Sequence, residues 1–167
     1  AITFEADFGP GFSRLIDRAL NLGIDYTIVG PEVPLADGIA DAFETAGLKV
    51  FGPRREAAQL ESSKAYAKQF MFDARIPTAA SETFTDVGAA EDYARRLGAP
   101  LVIKADGLAA GKGVVVARSM EQALEAIRQN LSGRQFGEAS GRIIVEECLA
   151  GEEASILAFM DGNVLLP

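Results

Sequence analysis

The residues best suited to chemistry lie in a glycine-rich segment that also carries lysine. This segment runs from Lys104 to Gly113 and includes Gly107, Gly111 and Lys112. Glycines allow successive backbone N–H groups to turn toward an anion, and a lysine adds a full positive charge. The segment therefore predicts a phosphate-binding loop. The alternative is a mobile surface loop in which the glycines only provide flexibility.

Two common nucleotide-binding motifs do not fit this segment. A P-loop has four residues between its first glycine and the Gly-Lys-Ser/Thr end. Here only three residues separate Gly107 from Gly111, and Gly113 follows Lys112 where a hydroxyl residue should stand. The dinucleotide pattern Gly-x-Gly-x-x-Gly also fails, because valines follow Gly113. The remaining interpretation is a flap that joins two strands.

Lys104 adds to the prediction of an anion site. It ends the apolar run of residues 101–103, where burying an ammonium group without an anionic partner is costly. The alternative is a side chain that extends from the strand end into water.

An acidic segment follows a later apolar strand and offers a second kind of contact. Residues 143–145 are apolar and lead into Glu146, Glu147, Cys148 and Leu149, with Glu153 shortly after. A strand that passes into irregular backbone exposes N–H and C=O groups that could read the edge of an adenine, and a nearby carboxylate could accept ribose hydroxyls. The alternative is a set of solvated acids around a turn.

Composition excludes several other classes of function. The net charge of −8 argues against a general nucleic-acid binder, and histidine is absent, which removes serine–histidine catalysis and histidine metal sites. The single cysteine, Cys148, cannot form an internal disulfide and fits a reducing compartment such as the cytoplasm. No apolar run approaches the roughly 20 residues of a membrane span.

The first 60 residues predict a parallel α/β unit. Helices are expected over 13–22 and 34–46, and strands over 24–29 and 48–51. Strands linked through a helix in this way run parallel. Gly30-Pro31 would then lie at the carboxyl end of a strand, the edge at which open α/β sheets bind ligands, although the pair could also simply end the strand.

The rest of the chain predicts a helix and then an α+β lobe, so the fold class is α/β with α+β in the second lobe. The helix covers 62–74, with Lys64 and Lys68 on one face. In the lobe, strands 101–104 and 113–117 are expected to pair antiparallel around the loop. The other elements are strands over 81–84, 142–146 and 154–159 and helices over 86–97 and 119–131.

Several stretches of the sequence together resemble the phosphoribosylamine–glycine ligase family of ATP-grasp enzymes. The resemblance covers essentially the whole chain, in order. Its most specific part is the run 104–113 followed by the Glu-Glu-x-Leu-x-Gly-Glu-Glu-Ala-Ser pattern at 146–155. The other matching stretches are 30–35, 51–53, 59–64 and 102–116.

This resemblance implies a fold and an activity. The implied organisation is a partial Rossmann-like pre-ATP-grasp domain (1–60), a connecting helix and linker (61–78), the small ATP-grasp lobe (79–150) and the start of the large lobe (151–167). The implied reaction joins glycine to 5-phosphoribosylamine through glycyl phosphate at the expense of ATP. Because neither end of the chain looks natural, we expect a fragment that is inactive alone. A noncatalytic nucleotide-binding fragment and another ATP-grasp ligase are the alternatives.

The resemblance also implies roles for individual residues. Lys64 and Lys104 would contact the phosphates of ATP, residues 107–113 would form the flap, and Gly30, Pro31 and Glu32 would help to hold phosphoribosylamine. The main chain of Glu147 and Leu149 would bind adenine and Glu153 the ribose, with Glu146 and Cys148 in the same segment. No catalytic residue is identified in the chain, and the Mg²⁺ ligands are expected beyond Pro167. We expect small-molecule partners only, no nucleic acid or membrane, and a monomer in the cytoplasm.

Overall fold

The computed structural model describes residues 8–107, 113–132 and 141–167. In the first part of the chain, short parallel strands alternate with helices. These elements are α1 (Ser13–Asn21), β1 (Thr27–Ile28), α2 (Glu32–Ala36), α3 (Ile39–Thr45), β2 (Val50–Phe51), α4 (Arg55–Ser62) and α5 (Lys64–Asp73). The second part consists of antiparallel strands and two longer helices. Its elements are β3 (Ser81–Phe84), α6 (Val87–Leu97), β4 (Leu101–Ala105), β5 (Val114–Ala117), α7 (Met120–Leu131), β6 (Ile143–Glu147), β7 (Phe159–Met160) and β8 (Leu165–Leu166).

The parallel pairing predicted for the first part is confirmed. Thr27 lies opposite Val50 and Ile28 opposite Phe51, so each strand contributes only two residues to the ladder. The strands are shorter than predicted. A separate core cluster holds this part together, with Phe43 almost fully buried in it.

The helices of the first part differ from the prediction in two places. The single helix expected over 34–46 is wrong, because α2 and α3 are separated at Gly38, whose φ of 91° is left-handed. The helix expected over 62–74 begins at Lys64 instead. Ser63 is extended there and accepts a hydrogen bond from the Tyr66 N–H, as an N-cap residue does. Helix α4 was not predicted.

The second part is built on a four-stranded sheet in the order β3-β6-β4-β5. All three pairings are antiparallel, and β4 pairs with β5 from Leu101↔Ala117 to Lys104↔Val114. The predicted antiparallel pair is therefore confirmed. Helices α6 and α7 cover one face of the sheet and bury Leu101, Ile103 and Val145 completely.

The strand predicted over 154–159 is wrong for most of its length. Only Phe159 and Met160 are in a strand, and they pair with Leu165 and Leu166 across a turn. A strand requires a partner for its backbone N–H and C=O groups, and an apolar sequence does not supply one. Ile156 is 91% exposed and pairs with no strand within the described residues.

The helices that the structure describes include none that is both long enough and apolar enough to span a bilayer.

Candidate functional site

The register of the sheet places charged side chains on the face opposite α6 and α7. Side chains alternate between the two faces of a strand, so Val102 and Lys104 point away from the core that holds Leu101 and Ile103. In β6 the same face carries Glu146, which lies opposite Val102. Lys104 and Glu146 are consequently diagonal neighbours on adjacent strands.

Helix α5 covers this face and forms a cleft with it. The cleft has a volume of about 210 Å³. Three of the five lysines in the sequence line it, namely Lys64, Lys68 and Lys104. Glu61 and apolar side chains, including Met71 and Ile144, form the rest of its wall. This combination suits a ligand that joins an anionic group to an apolar ring. The ammonium groups attract the negative charge, and the apolar side chains pack against the ring.

Glu146 is a buried carboxylate that contacts two of the cleft lysines, with 4% of its surface exposed. Its Oε1 is paired with Lys104 Nζ, and its Oε2 lies 2.7 Å from Lys68 Nζ. The contact between Lys68 Nζ and Glu146 Oε2 is an ion pair by distance, but it does not meet the geometry of a hydrogen bond. One buried negative charge is therefore faced by two positive charges.

Asp106 organises the base of the loop. It is 6% exposed and accepts hydrogen bonds from the Ala65 N–H at 3.0 Å, the Ser63 hydroxyl at 3.2 Å and Arg142 Nε at 2.7 Å. Burial alone would raise the pKa of Asp106, but the hydrogen bonds from Ala65, Arg142 and Ser63 outweigh it and hold that pKa below its ordinary value. The carboxylate thus joins the start of α5 to the end of β4 and the start of β6.

The first lysine of α5 reaches the same loop. Lys64 Nζ donates a hydrogen bond of 2.8 Å to the carbonyl of Gly107, whose φ of 98° is left-handed. At the other end of the loop the carbonyl of Gly113 accepts from the Ala105 N–H at 2.7 Å. The predicted site residues Gly111 and Lys112 lie outside the described residues.

The predicted adenine segment begins where β6 ends. The Glu147 N–H donates to the Ala80 carbonyl, and Glu147 Oε1 accepts from the Ala80 N–H, both at 3.0 Å. Of the two main-chain groups of Glu147, the carbonyl is therefore the one that a nucleotide could use. Cys148 is half-buried, and Leu149 and Glu153 are exposed.

The turn predicted to hold the second substrate lies elsewhere. Gly30 follows β1, Pro31 is the N-cap residue of α2 and Glu32 opens that helix. All three are exposed, and none of them lines the lysine cleft.

Sequence reasoning missed three residues of this arrangement. Lys68 was placed on the same face as Lys64 but given no role, and Asp106 and Arg142 were not singled out. A signal did exist for Asp106, since a carboxylate directly after a buried strand must find partners. Nothing in the sequence indicated that these partners come from α5 and β6.

The described residues contain no candidate metal centre. No group of three or more aspartate, glutamate, cysteine or histidine side chains within them is arranged to hold an ion.

Comparison with family models covers almost the entire chain. Residues 4–61 match the model described as the phosphoribosylglycinamide synthetase N domain. Residues 62–167 match that of the phosphoribosylglycinamide synthetase ATP-grasp (A) domain. The second match includes all three lysines of the cleft.

Individual relatives agree with these matches. A phosphoribosylamine–glycine ligase of Vibrio vulnificus is 55% identical over 153 residues, which are 92% of this chain and 36% of the relative. The crystal structure of a phosphoribosylamine–glycine ligase from Thermotoga maritima is 38% identical with a TM-score of 0.67, over 70% of this chain and 30% of that one.

A more distant solved structure is the biotin carboxylase domain of 2-oxoglutarate carboxylase from Hydrogenobacter thermophilus, in complex with MgADP and bicarbonate. It is 27% identical with a TM-score of 0.66, over 81% of this chain and 31% of that one. The present chain spans about a third of the length of the curated relatives that it matches. On the family matches and these identities, the chain belongs to the phosphoribosylglycinamide synthetase family.

Proposed function

We propose that the complete protein is an ATP-dependent ligase that joins glycine to 5-phosphoribosylamine. The glycine carboxylate would first take the γ-phosphoryl group of ATP, which gives glycyl phosphate and ADP. The amine would then attack the acyl carbon and release phosphate, leaving glycinamide ribonucleotide. The observation that carries this proposal is the lysine cleft within a chain that matches both family models.

The proposed ATP site extends from the base of the loop to the end of β6. Lys64 and Lys104 would neutralise phosphate charge, and the loop from Gly107 to Gly113 would close over it. Phosphoryl transfer needs mainly positioning and charge neutralisation, which ammonium groups on rigid elements can supply. Lys104 is well placed for this role because it belongs to a strand whose neighbouring residues are fully buried.

The adenosine half would lie along the segment after Glu146. The carbonyl of Glu147 and the N–H of Leu149 would read the adenine edge, with Cys148 between them acting through its backbone. The carboxylate of Glu153 would accept the ribose hydroxyls. The turn from Gly30 to Glu32 would contribute to binding of phosphoribosylamine.

Magnesium would supply further charge neutralisation on the phosphates. The MgADP complex of the biotin carboxylase neighbour motivates this part of the proposal. The described residues contain no cluster able to hold the ion, so we assign it no ligands among them. A monomer in the cytoplasm with small-molecule partners completes the proposal.

A second candidate concerns the chain by itself. Because it spans about a third of its relatives, we propose that it provides the ATP-binding part and does not turn over alone. An ATP-grasp ligase with another acyl acceptor is the third candidate, motivated by the likeness to the carboxylase domain.

The discriminating experiment measures phosphate release from ATP by the complete protein. Release should require both glycine and phosphoribosylamine. Release that does not depend on glycine would refute the proposed ligase, and release that depends on bicarbonate would favour the third candidate. The 167-residue chain should bind ATP without releasing phosphate.

Binding by the chain can be tested at Lys104. Lys104→Ala should weaken ATP binding, measured as a loss of thermal stabilisation by ATP. The matched control is Lys49→Ala, because Lys49 is exposed and does not line the cleft. Equal stabilisation of both variants by ATP would remove Lys104 from the site.

A further inference from the structure

The lysines of the cleft differ in how firmly they are held. Lys68 has a side chain that is 15% exposed, and beyond Glu146 it donates to Thr78 Oγ1 at 2.8 Å and to the Ala79 carbonyl at 3.1 Å. The Lys104 side chain is 29% exposed, and its described partner is Glu146. Lys68 is thus anchored to the segment between α5 and β3, whereas Lys104 is the more accessible ammonium group.

Charge balance makes this difference important. If Lys104 moved from Glu146 to a phosphate group with no second cation present, a carboxylate that is 4% exposed would lose its partner. Leaving one half of a buried ion pair uncompensated is strongly unfavourable. With Lys68 in place, Glu146 stays paired after Lys104 departs, and the positive charge of Lys104 becomes available to the ligand.

We propose that Lys68 is a positioning residue for ATP binding. It keeps Glu146 neutralised and oriented, so that Lys104 can exchange the carboxylate for the nucleotide phosphates at low cost. This inference rests on the proposed function, because it takes Lys104 as a phosphate contact. Lys68 itself touches Glu146, Thr78 and Ala79 and need not touch the nucleotide.

A purely structural role is the competing explanation. Lys68 links the segment at 78–79 to the end of β6, so its removal could simply loosen the lobe. In that case every ligand of the cleft would lose affinity to the same extent. The charge-exchange role instead predicts a loss that depends on the phosphates.

The test compares ATP with adenosine in the complete protein by calorimetry. Lys68→Gln removes the charge but keeps an N–H donor for Thr78 and Ala79. It should weaken ATP binding on the order of 10- to 100-fold, as expected when a buried carboxylate loses its partner, and change adenosine binding by about twofold or less. Lys68→Arg, which retains the charge, should recover most of the ATP affinity. The matched control is Lys49→Gln, an exposed lysine outside the cleft.

A double-mutant cycle with Glu146→Gln isolates the mechanism. Without the carboxylate there is no charge to compensate, so Lys68→Gln in that background should alter ATP affinity by only about twofold. Equal losses for ATP and adenosine, or losses that multiply in the double variant, would overturn the inference. If circular dichroism shows that Lys68→Gln is unfolded, the affinities for ATP and adenosine are compared in Lys68→Met instead. Unfolding of both variants would establish the structural role and overturn the inference.

The outcomes for the two proposals are distinct. Absence of ATP binding by the unmodified protein would refute the proposed function. Normal ATP binding that does not depend on Lys68 would refute only the inference about Lys68.

Discussion

Replacing Asp106 tests how the loop base is joined to α5. Asp106 accepts the Ala65 N–H, which is one of the free donors in the first turn of α5, and it pairs with Arg142. Loss of a side-chain hydrogen bond to a free N–H at a helix N-terminus costs about 1 kcal/mol. Loss of a charged hydrogen bond costs about 1.5 kcal/mol, at the low end of its range because the Arg142 side chain is half exposed. Asp106→Ala should therefore lower the free energy of unfolding by about 2.5 kcal/mol.

Asp106→Asn separates the two contributions. The amide oxygen can still accept from the Ala65 N–H, but the charge toward Arg142 is gone. The expected loss is then about 1.5 kcal/mol, close to that of Arg142→Ala. Because the carboxylate and the guanidinium act on each other, Asp106→Asn combined with Arg142→Ala should cost less than the sum of the single losses.

Urea denaturation followed by circular dichroism gives the free energies, provided that the m-value stays constant. The hydrogen-exchange rate of the Ala65 amide should rise by about 70-fold in Asp106→Ala if this amide exchanges through global unfolding, because that factor corresponds to a loss of about 2.5 kcal/mol. Equal destabilisation by Asp106→Ala and Asp106→Asn would show that the hydrogen bond from the Ala65 N–H does not contribute. Losses below about 0.5 kcal/mol for both would refute the reasoning.

Two further predictions concern acid stability and the sheet core. Because the folded-state pKa of Asp106 lies below its ordinary value of 3.8, its stabilising contribution is present above pH 3.8 and is lost as pH falls through the folded-state pKa. Acid titration of stability should therefore be less steep in Asp106→Asn, and an unchanged titration would contradict the assignment. Ile103→Ala should cost about 2–5 kcal/mol in urea denaturation, because Ile103 is fully buried against α6 and α7. Val116→Ala, at a half-exposed position on the opposite face of the same sheet, is the matched control and should cost less than about 1 kcal/mol.

Elements with strong local patterns were predictable from the sequence. Helix α7 begins with a pattern close to a capping box. The Ser119 hydroxyl accepts a hydrogen bond from the Gln122 N–H, as in that motif. Gln122 Oε1 accepts in return from the N–H of Arg118, one residue before the usual donor, Ser119. The apolar run of β4 and the glycine-rich segment after it predicted the antiparallel pairing of β4 with β5. These features depend on residues that are close in the sequence.

Features that depend on long-range pairing were not predictable in the same way. The sequence places 41 positions between Lys104 and Glu146, and only the register of β4 against β6 brings them together. The split between α2 and α3 follows from the left-handed backbone at Gly38, beside which Arg55 packs. An apolar stripe across positions 34–46 cannot reveal such a break, since the stripe continues on both sides of it.

The same register sustains both the core and the candidate site. Side chains on a strand alternate between faces, so slipping β4 by one residue would move Lys104 into the core and Ile103 into the cleft. Two bonds at the loop end oppose such a slip: the Ala105 N–H donates to the Gly113 carbonyl, and the Asp106 N–H donates to the Arg142 carbonyl. The loop base therefore contributes twice to the proposed phosphate site. It follows directly on Lys104, which lines the cleft, and its two hydrogen bonds help to hold β4 in the register that keeps Lys104 on the cleft side.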